Sequence, residues 1–350
     1  MRVWLCAALV ACAHAGPAQP RKIDITEPVV ITAGPPASVA LGEMDAATLF
    51  DTGTRLFQQG EFEKAALHFD RLWQSFPDSR DRVTAIWNAG LALERLGRFS
   101  EALERFVEYI KYKDEPDAQF HAAVCEYKLG RLDEAAARLQ KLADRPGLPP
   151  VRRADALLQE GVCKVESGAR NEGERLLRAA LQIYEKDLAD EPVDPALPAQ
   201  AEFWLGEAYR GYYRELKLDP AAMDEKALGD ALESKAQFLL SAQGHFLRCI
   251  RKGDGEWATA AGFRIGEMYE EFHDQLVGAP LPAGLDEQQR ALYQEELRKK
   301  VRNLIGKAIR IYEQTLSTAQ RVGAQNAYVQ KTEEALERLR KLMLEVPDRG

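Results

Sequence analysis

The sequence has few of the features that mark membrane-spanning and nucleic-acid-binding proteins. After the N-terminus it contains no apolar run of roughly 18 residues or more, so we expect no transmembrane helix in the mature chain. It also has no long basic run, and its formal net charge is −8. Because phosphate contacts dominate nucleic-acid affinity, this charge argues against nucleic acid as a partner, and equally against an anionic membrane surface.

Catalytic and metal-binding signatures are also scarce. The sequence has no glycine-rich phosphate loop and no G-x-S-x-G elbow. Its five histidines form no metal-spaced pair. Glu270-x-x-His273 occurs once, without the second copy and further glutamates that a carboxylate-bridged site needs. We therefore expect no cofactor, no metal and no enzymatic activity, with an enzyme acting on peptidoglycan as the remote alternative.

Cysteine is rare, with five in the chain, of which Cys6 and Cys12 lie in the N-terminal segment. The other three, Cys125, Cys163 and Cys249, are odd in number and far apart. This pattern indicates small buried apolar side chains rather than a disulfide framework.

The N-terminal segment predicts export. Arg2 precedes a short apolar stretch, 3–13, and Ala13-His14-Ala15 fits a small-x-small cleavage site that would end a signal peptide at residue 15. Leu9-Val10-Ala11-Cys12 also resembles a bacterial lipobox, in which Cys12 is lipidated and the signal is 1–11. Both routes leave a flexible tether up to residue 45 and place the protein in the periplasm. In the second it is an outer-membrane lipoprotein, anchored to the membrane only through Cys12.

A 34-residue unit recurs from residue 46 onward. In 46–79, Gly53 stands at position 8, Ala65 at position 20 and Phe69 at position 24, and Pro77 ends the unit at position 32. Small residues at positions 8 and 20 let two antiparallel helices approach closely, and larger residues pack around that contact. Proline ends the second helix. The unit therefore predicts a helical hairpin.

Three further copies follow in the same register, each with twelve residues between positions 8 and 20. They are marked by Gly90, Gly97, Phe99, Ala102 and Phe106 in the second copy, by Ala123, Gly130, Leu132, Ala135 and Leu139 in the third, and by Gly161, Gly168, Gly173 and Leu177 in the fourth. We assign the four repeats to 46–190.

Two later units share Phe-x-x-Gly-Glu-x-Tyr, at 203–209 and 263–269, but their second helices come late. Phe246 and Tyr312 occupy position 24, so positions 8 and 20 are 36 and 42 residues apart. We expect two elongated hairpins over 199–321, each helix gaining roughly 18 Å if the insertion is shared evenly, at 1.5 Å per residue.

A last helix over 325–346 would cap the open end of the repeats. Its apolar face is expected to carry Tyr328, Ala335, Leu339, Leu342 and Val346.

The repeat resembles the tetratricopeptide repeat (TPR) family at nearly every signature position of the first copy and in its period. The resemblance implies an all-α solenoid of antiparallel helical hairpins, here with two elongated C-terminal hairpins. With the signal and tether, the chain is similar to TPR proteins of the bacterial envelope, such as the outer-membrane-assembly lipoprotein and the Tol-associated periplasmic factor. The long hairpins also resemble envelope TPR proteins of gliding deltaproteobacteria.

In that family, positions 2, 5, 9, 12 and 13 of each first helix line a concave groove. Position 5 is a large apolar residue in all six units, and an apolar stripe of this kind suits a docked peptide or amphipathic helix. The predicted groove residues are Phe50, Trp87, Phe120, Leu158, Phe203 and Phe263 at position 5, with Phe57 and Tyr127 at position 12.

The same row can belong to the core instead, because apolar stripes on helices are more often buried. Leu49 and Ile86 already fill the core position 4 in the first two repeats, which favours a groove role for Phe50 and Trp87. Elsewhere position 5 can take over the core role, since position 4 is polar or glycine at Gln119, Glu202 and Gly262.

The last two units add acidic residues to the row. Glu207 and Glu267 stand at position 9, followed by Glu270 and Glu271, and this end of the groove is expected to favour a basic partner segment. The leading hypothesis is a non-enzymatic scaffold that holds protein partners in an envelope complex. The alternative is a structural spacer or cell-wall-associated protein without a peptide groove. Partner, pathway and oligomeric state stay open.

Overall fold

The computed structural model describes residues 44–220, 222–281 and 284–345. The predicted signal, Cys12, almost all of the predicted tether and Val346 lie outside these residues. Over the described part of the chain the structure contains thirteen α-helices and no strand, which confirms the all-α prediction. None of these helices combines the length and the apolar character needed to cross a bilayer.

The chain divides into two compact units, an N-terminal unit that ends at Ser167 and a C-terminal unit that begins at Gly168. The division falls inside the segment assigned to the fourth repeat. The N-terminal unit contains α1 (Ala46–Gln58), α2 (Phe62–Ser75), α3 (Arg82–Arg95), α4 (Phe99–Ile110), α5 (Pro116–Lys128), α6 (Leu132–Ala143) and α7 (Pro150–Glu166). The C-terminal unit contains α8 (Arg170–Gln182), which continues into a π-helical turn (Ile183–Asp187), α9 (Ala196–Glu215), α10 (Glu225–Arg251), α11 (Gly255–Val277), α12 (Glu287–Val322) and α13 (Ala327–Glu345).

In the N-terminal unit, α1 packs on α2, α3 on α4 and α5 on α6 as hairpins. The first two close where position 8 meets position 24. A Cβ added to Gly53 would stand 2.9 Å from the Phe69 ring, and one added to Gly90 would stand 2.8 Å from the Phe106 ring. Because real Cβ atoms do not approach other atoms so closely, glycine at position 8 sets the distance between the two helices.

Each of these first helices ends at a glycine in the left-handed conformation. Gly60, Gly97 and Gly130 have φ angles of 79°, 74° and 80°. Their N–H groups donate to the carbonyls of Phe57, Glu94 and Tyr127, and the second helix of the hairpin begins two residues later. Glycine adopts this conformation at no steric cost, so the repeated glycine at position 15 fixes where the chain turns.

The two elongated hairpins are α9 with α10 and α11 with α12. Their register follows the same rule, because a Cβ on Gly206 would overlap the Phe246 ring and one on Gly266 would overlap the Tyr312 ring. The late second helices predicted from the sequence are thereby confirmed.

The extra length is not shared evenly between the paired helices. α9 and α11 have 20 and 23 residues, whereas α10 and α12 have 27 and 36. Gly278 caps the C-terminus of α11, and a capping box formed by Asp286 and Gln289 begins α12. In α12 the buried positions begin only at Val301, so its first turns extend past α11 into solvent.

The last helix, α13, packs on α11 and α12. Tyr328, Ala335 and Leu339 are buried as expected, and Thr332 and Leu336 are buried with them. Leu342 was expected on this face but is 39% exposed, so the packed face ends one turn earlier.

Candidate partner-binding surface

In the N-terminal unit, position 5 of three successive first helices carries a half-buried aromatic side chain. These residues, Phe50 on α1, Trp87 on α3 and Phe120 on α5, are called the aromatic row. Below the first two, Leu49 and Ile86 at position 4 are both 0% exposed and fill the core. Phe50 and Trp87 therefore lie at the edge of a core that is already packed, and all three side chains of the row are partly exposed.

Aromatic residues of the second helices support the row from beneath. The Phe50 ring meets Phe69 edge-on at 5.9 Å between centroids. The Trp87 ring lies 5.4 Å from Phe106 and 5.3 Å from Tyr109. Edge-to-face aromatic contacts of this kind favour one ring orientation, so the exposed faces are held in place.

A histidine–carboxylate pair holds Trp87 from its other side. His121 Nδ1 lies 2.7 Å from Glu94 Oε2, and the imidazole stacks on Phe106 and meets Trp87 edge-on, each at 5.2 Å. His121 and Glu94 are 27 residues apart, on different repeats, so no local sequence spacing indicates that they meet.

The other predicted groove residues of this unit divide between surface and core. Phe57 is half-buried and meets Phe62 edge-on at 5.2 Å, beside the turn of the first hairpin. Tyr127 and Leu158 are 1% and 3% exposed. These two side chains pack in the interior and offer no surface to a partner.

In the C-terminal unit, position 5 belongs to the core. Phe203 is 1% exposed and lies 5.5 Å from Phe246 and 5.1 Å from Trp257, between ring centroids. Phe263 is 8% exposed and packs on Tyr312 and Tyr328. The alternative reading of the row, in which position 5 takes over the core role, describes this unit.

In the same first helices, charged residues at positions 9, 12 and 13 form a network of ion pairs. Arg210, 3% exposed, donates from Nη2 to Glu267 and to Glu271, each at 2.6 Å. Arg214 donates to the same Glu271 carboxylate. Burial raises the pKa of Glu271, but hydrogen bonds and charge from Arg214 and Arg210 outweigh burial, and the pKa is lowered overall.

Further arginines pair the remaining carboxylates of this end. Arg264 Nη1 donates to Glu267 at 2.7 Å, and its Nε lies 3.1 Å from Glu207. Glu270 accepts from the Tyr312 hydroxyl and from Arg338. These acidic residues were expected to favour a basic partner segment, but the chain's own arginines neutralise them. Pairs at i,i+3, such as Arg264 and Glu267, were the sequence signal for this outcome.

An open cleft of about 500 Å³ lies beside this network, between α11, α12 and α13. Its floor includes Phe263 and Tyr312, and its walls carry the paired Glu267 and Glu270 together with Lys331. Acidic residues outnumber basic ones in its lining, but Glu267, Glu270 and Glu271 are paired with arginines of the same unit.

Potential metal ligands and cysteine thiols form no candidate site among the described residues. No group of three or more His, Cys, Asp and Glu side chains suited to a metal occurs in the part of the chain that the structure describes. His273 Nδ1 lies 2.9 Å from its neighbour Asp274. Cys125, Cys163 and Cys249 are free and buried, and burial raises the pKa of Cys163 to about 12, which makes its thiol unreactive.

Comparison with known proteins identifies a family match within the repeats. Residues 87–149 match the tetratricopeptide repeat family model. No curated protein matches the chain. Among solved structures it is similar to YrrB, a TPR protein with an unusual peptide-binding site, at 19% identity over 57% of this chain and 86% of that one, with a TM-score of 0.40.

Two further solved structures are similar. One is a TPR protein from Parabacteroides merdae, at 14% identity over 84% of this chain and 98% of that one, with a TM-score of 0.40. The other is a TPR repeats protein from Bacteroides fragilis, at 14% identity over 65% and 97%, with a TM-score of 0.31. At these identities and TM-scores the likeness says nothing about what this chain binds.

The family match covers the second and third repeats, and the contact between position 8 and position 24 closes hairpins in both units. The chain therefore has an all-α fold of the tetratricopeptide repeat type.

Proposed function

We propose that this chain is a non-enzymatic protein-interaction scaffold that holds an apolar segment of a partner on the aromatic row of its N-terminal unit. TPR repeats support a scaffold role, because stacked hairpins create extended binding surfaces rather than enclosed catalytic clefts. The observation that carries the proposal is the half-buried state of Phe50, Trp87 and Phe120, of which the first two lie beside core positions that Leu49 and Ile86 already fill.

The chemistry of the row defines the partner. The rings of Phe50 and Trp87, held by aromatic contacts from below, lose little freedom when they are covered, so with Phe120 they suit apolar anchors of a peptide or amphipathic helix. Leu91 and Thr54 at position 9 of their helices are also half-buried and extend the row with short, uncharged side chains. A segment with several apolar side chains and few charges fits this surface best.

The N-terminal sequence motivates the second part of the proposal, an exported scaffold in the bacterial envelope. Either the chain is cleaved after Ala15 and is free in the periplasm, or Cys12 is lipidated and anchors it to the outer membrane. Membrane fractionation and intact mass of wild type and Cys12→Ala separate the two routes. Release of the Cys12→Ala chain from the membrane supports the anchor, whereas retention of all of the chain in the cytoplasm contradicts export.

The binding test uses photo-crosslinking from the row. A photoreactive amino acid is placed at position 50 or 120, and as a matched control at position 67, because Leu67 is a 55% exposed leucine on the second helix of the first hairpin. Crosslinking is carried out in intact cells, and the products are identified by mass spectrometry. We expect the same partner from both row positions and not from position 67.

A complementary variant tests whether the row carries affinity. Phe50→Ser/Phe120→Ser is compared with Leu67→Ser, after circular dichroism has shown unchanged helicity. Loss of the crosslinked partner from the row variant alone supports the proposal. Equal capture by all three proteins removes the row as the binding site, and absence of any partner favours the structural-spacer alternative. Turnover of a peptidoglycan substrate by the purified chain would contradict the non-enzymatic part.

A further inference from the structure

The solvent face of α10 is unusual for this chain because it carries no charge over three turns. From Ala236 to Leu247 the helix contains no Asp, Glu, Lys or Arg, although 29% of all residues are charged. Leu240 and Leu247 lie on this face and are 62% and 38% exposed. The outer face of a surface helix is normally its polar face, and within the part of the chain that the structure describes these leucines stay exposed.

On the same face, the described residues also give no packing reason for a glycine. Gly206 and Gly266 each make room for an aromatic ring, as described above. A Cβ added to Gly244 would meet only the Nη1 atom of Arg248, at an ordinary contact distance of 3.6 Å. Glycine in the interior of a helix is unfavourable relative to alanine, and at Gly244 no packing among the described residues requires it.

We propose that this face, called the α10 stripe and formed by Glu233, Ala236, Leu240, Gly244, Leu247 and Arg251, pairs with the α10 stripe of a second copy of the chain. The two helices run antiparallel, and the two-fold axis crosses each helix at the level of Ala242. At 100° per residue the six side chains project from one side of the helix. The inference does not depend on the proposed function, since the aromatic row belongs to the other unit.

The sequence of the stripe is self-complementary about that axis. Leu240 and Gly244 are equally far from Ala242, so each Leu240 packs over the bare backbone of the partner's Gly244. Glu233 and Arg251 are also equally far from Ala242, and both are exposed. Each end of the pair therefore joins a carboxylate to a guanidinium, as a two-fold interface requires.

The charges select the direction of pairing and the kind of partner. In a parallel pair Glu233 would face Glu233 and Arg251 would face Arg251, which is repulsive at both ends. Beside the stripe, Arg248 is held by Glu202 within its own chain, and Gln237 donates to Glu233 at 3.3 Å. Neither Arg248 nor Gln237 places a charge in the centre of the stripe. The middle of the contact therefore consists of Leu240 of one copy against Gly244 of the other.

The size of the contact sets its strength. The stripe runs over about 27 Å of helix at 1.5 Å per residue, so the pair is small beside a standard protein interface of roughly 1,600 Å². We therefore expect a weak dimer whose population rises with protein concentration.

Sedimentation equilibrium of the full chain over a range of concentrations tests the pairing. We expect wild type to dimerise, and Leu240→Lys and Gly244→Leu each to raise the dissociation constant about tenfold or more. Leu67→Lys, at a similarly exposed leucine of the other unit, is expected to leave the dissociation constant unchanged. A chain that stays monomeric at every concentration overturns the proposal, as does a dimer that Leu240→Lys does not weaken.

Charge exchange gives a test that a folding defect cannot imitate. Glu233→Arg alone and Arg251→Glu alone are each expected to lose dimerisation, because each creates like charges at both ends. An equimolar mixture of the two variants is expected to regain it as a mixed dimer with both ion pairs restored, and the double variant should also regain it. If neither the mixture nor the double variant dimerises, the antiparallel register about Ala242 is wrong.

Discussion

The two units of this chain share one repeat register but differ in where the aromatic residue at position 5 lies. In the N-terminal unit, position 4 is apolar and fully buried at Leu49 and Ile86, and the aromatic residue at position 5 remains half-buried. In the C-terminal unit, position 4 is Glu202 or Gly262, and the aromatic residues at position 5, Phe203 and Phe263, are buried in its place.

The difference continues at position 12. In the N-terminal unit Glu94 pairs with a single histidine, His121. In the C-terminal unit Arg210 is shared between Glu267 and Glu271 under almost complete burial. A register position thus does not define a role by itself. The residue at position 4 matters, but Phe120 stays half-buried although Gln119 precedes it, so the helices packed around the position decide as well.

The largest expected effect tests that division directly. Phe203→Ala should lower the free energy of unfolding of its unit by about 4 kcal/mol, because it empties a buried ring site. Phe50→Ala, at the equivalent position of the other unit, should cost about 1 kcal/mol, because that ring is already partly in water. Hydrogen exchange read by mass spectrometry assigns each loss to its own unit, and equal losses would break the comparison.

The charge network should rank second. Arg210→Met leaves Glu267 and Glu271 without their shared cation and should destabilise the C-terminal unit by about 3 kcal/mol at neutral pH. Burial raises the pKa of Glu271 but its arginine partners, Arg210 among them, lower it overall, so this part of the deficit relative to wild type should shrink as the pH falls below the usual pKa of 4.5. A deficit of the same size at both pH values would assign the loss to packing rather than to charge.

The third comparison concerns what the units share. Gly53→Ala and Gly206→Ala should each cost about 2 kcal/mol, because the new methyl group meets the ring of Phe69 or Phe246. Gly244→Ala, where no ring is near, should instead stabilise α10 by about 0.5–1 kcal/mol from helix propensity. Urea denaturation of the three variants measures this. A cost at Gly53 without one at Gly206 would mean that the elongated hairpins close by a different contact.

The hairpins were predictable because they depend on short-range regularities. Gly53, Gly90, Gly206 and Gly266 recur at position 8, and an aromatic residue follows at position 24, at a distance that a repeat model can measure. Even the late second helices of the long hairpins could be found from this spacing. The length of α12 could not be predicted. Its first turns are exposed, so the sequence there shows no periodic apolar residues that would indicate a helix.

The functional surface was less predictable because burial depends on contacts between repeats. Nothing local to Tyr127 or Leu158 shows that neighbouring helices cover them, whereas Phe50 and Trp87 have a filled position 4 beside them. The acidic residues near 270 were misread for the same reason, since Arg210 and Arg338 reach them from other helices. Periodicity identifies a face of a helix, and only the packed structure shows what covers that face.

The smallest expected effect is a rise of stability with pH that only the C-terminal unit should show. Lys235 is 0% exposed, and its Nζ donates to the carbonyls of Tyr213 at 2.6 Å and Leu216 at 2.7 Å, where α9 ends. Burial, with a smaller contribution from Lys217, lowers the pKa of this lysine from 10.5 to about 8. Between those values the unfolded chain binds more protons than the folded one, so the stability of the unit should rise with pH.

Between pH 8 and about 9.5, below the usual titration of tyrosine, we expect the C-terminal unit to gain about 1 kcal/mol. The N-terminal unit, which has no buried lysine among its described residues, should show no such gain. The buried Cys163 thiol, whose pKa burial raises to about 12, should instead make its stability fall slightly over this range. Hydrogen exchange, corrected for the intrinsic effect of pH, reports the two units separately, and Lys235→Met should flatten the slope even though it lowers the overall stability. A slope that persists in Lys235→Met, or that appears equally in both units, would show that the amine is not the group that titrates. The end of α9 would then be held by a lysine that stays charged in the folded state over this pH range.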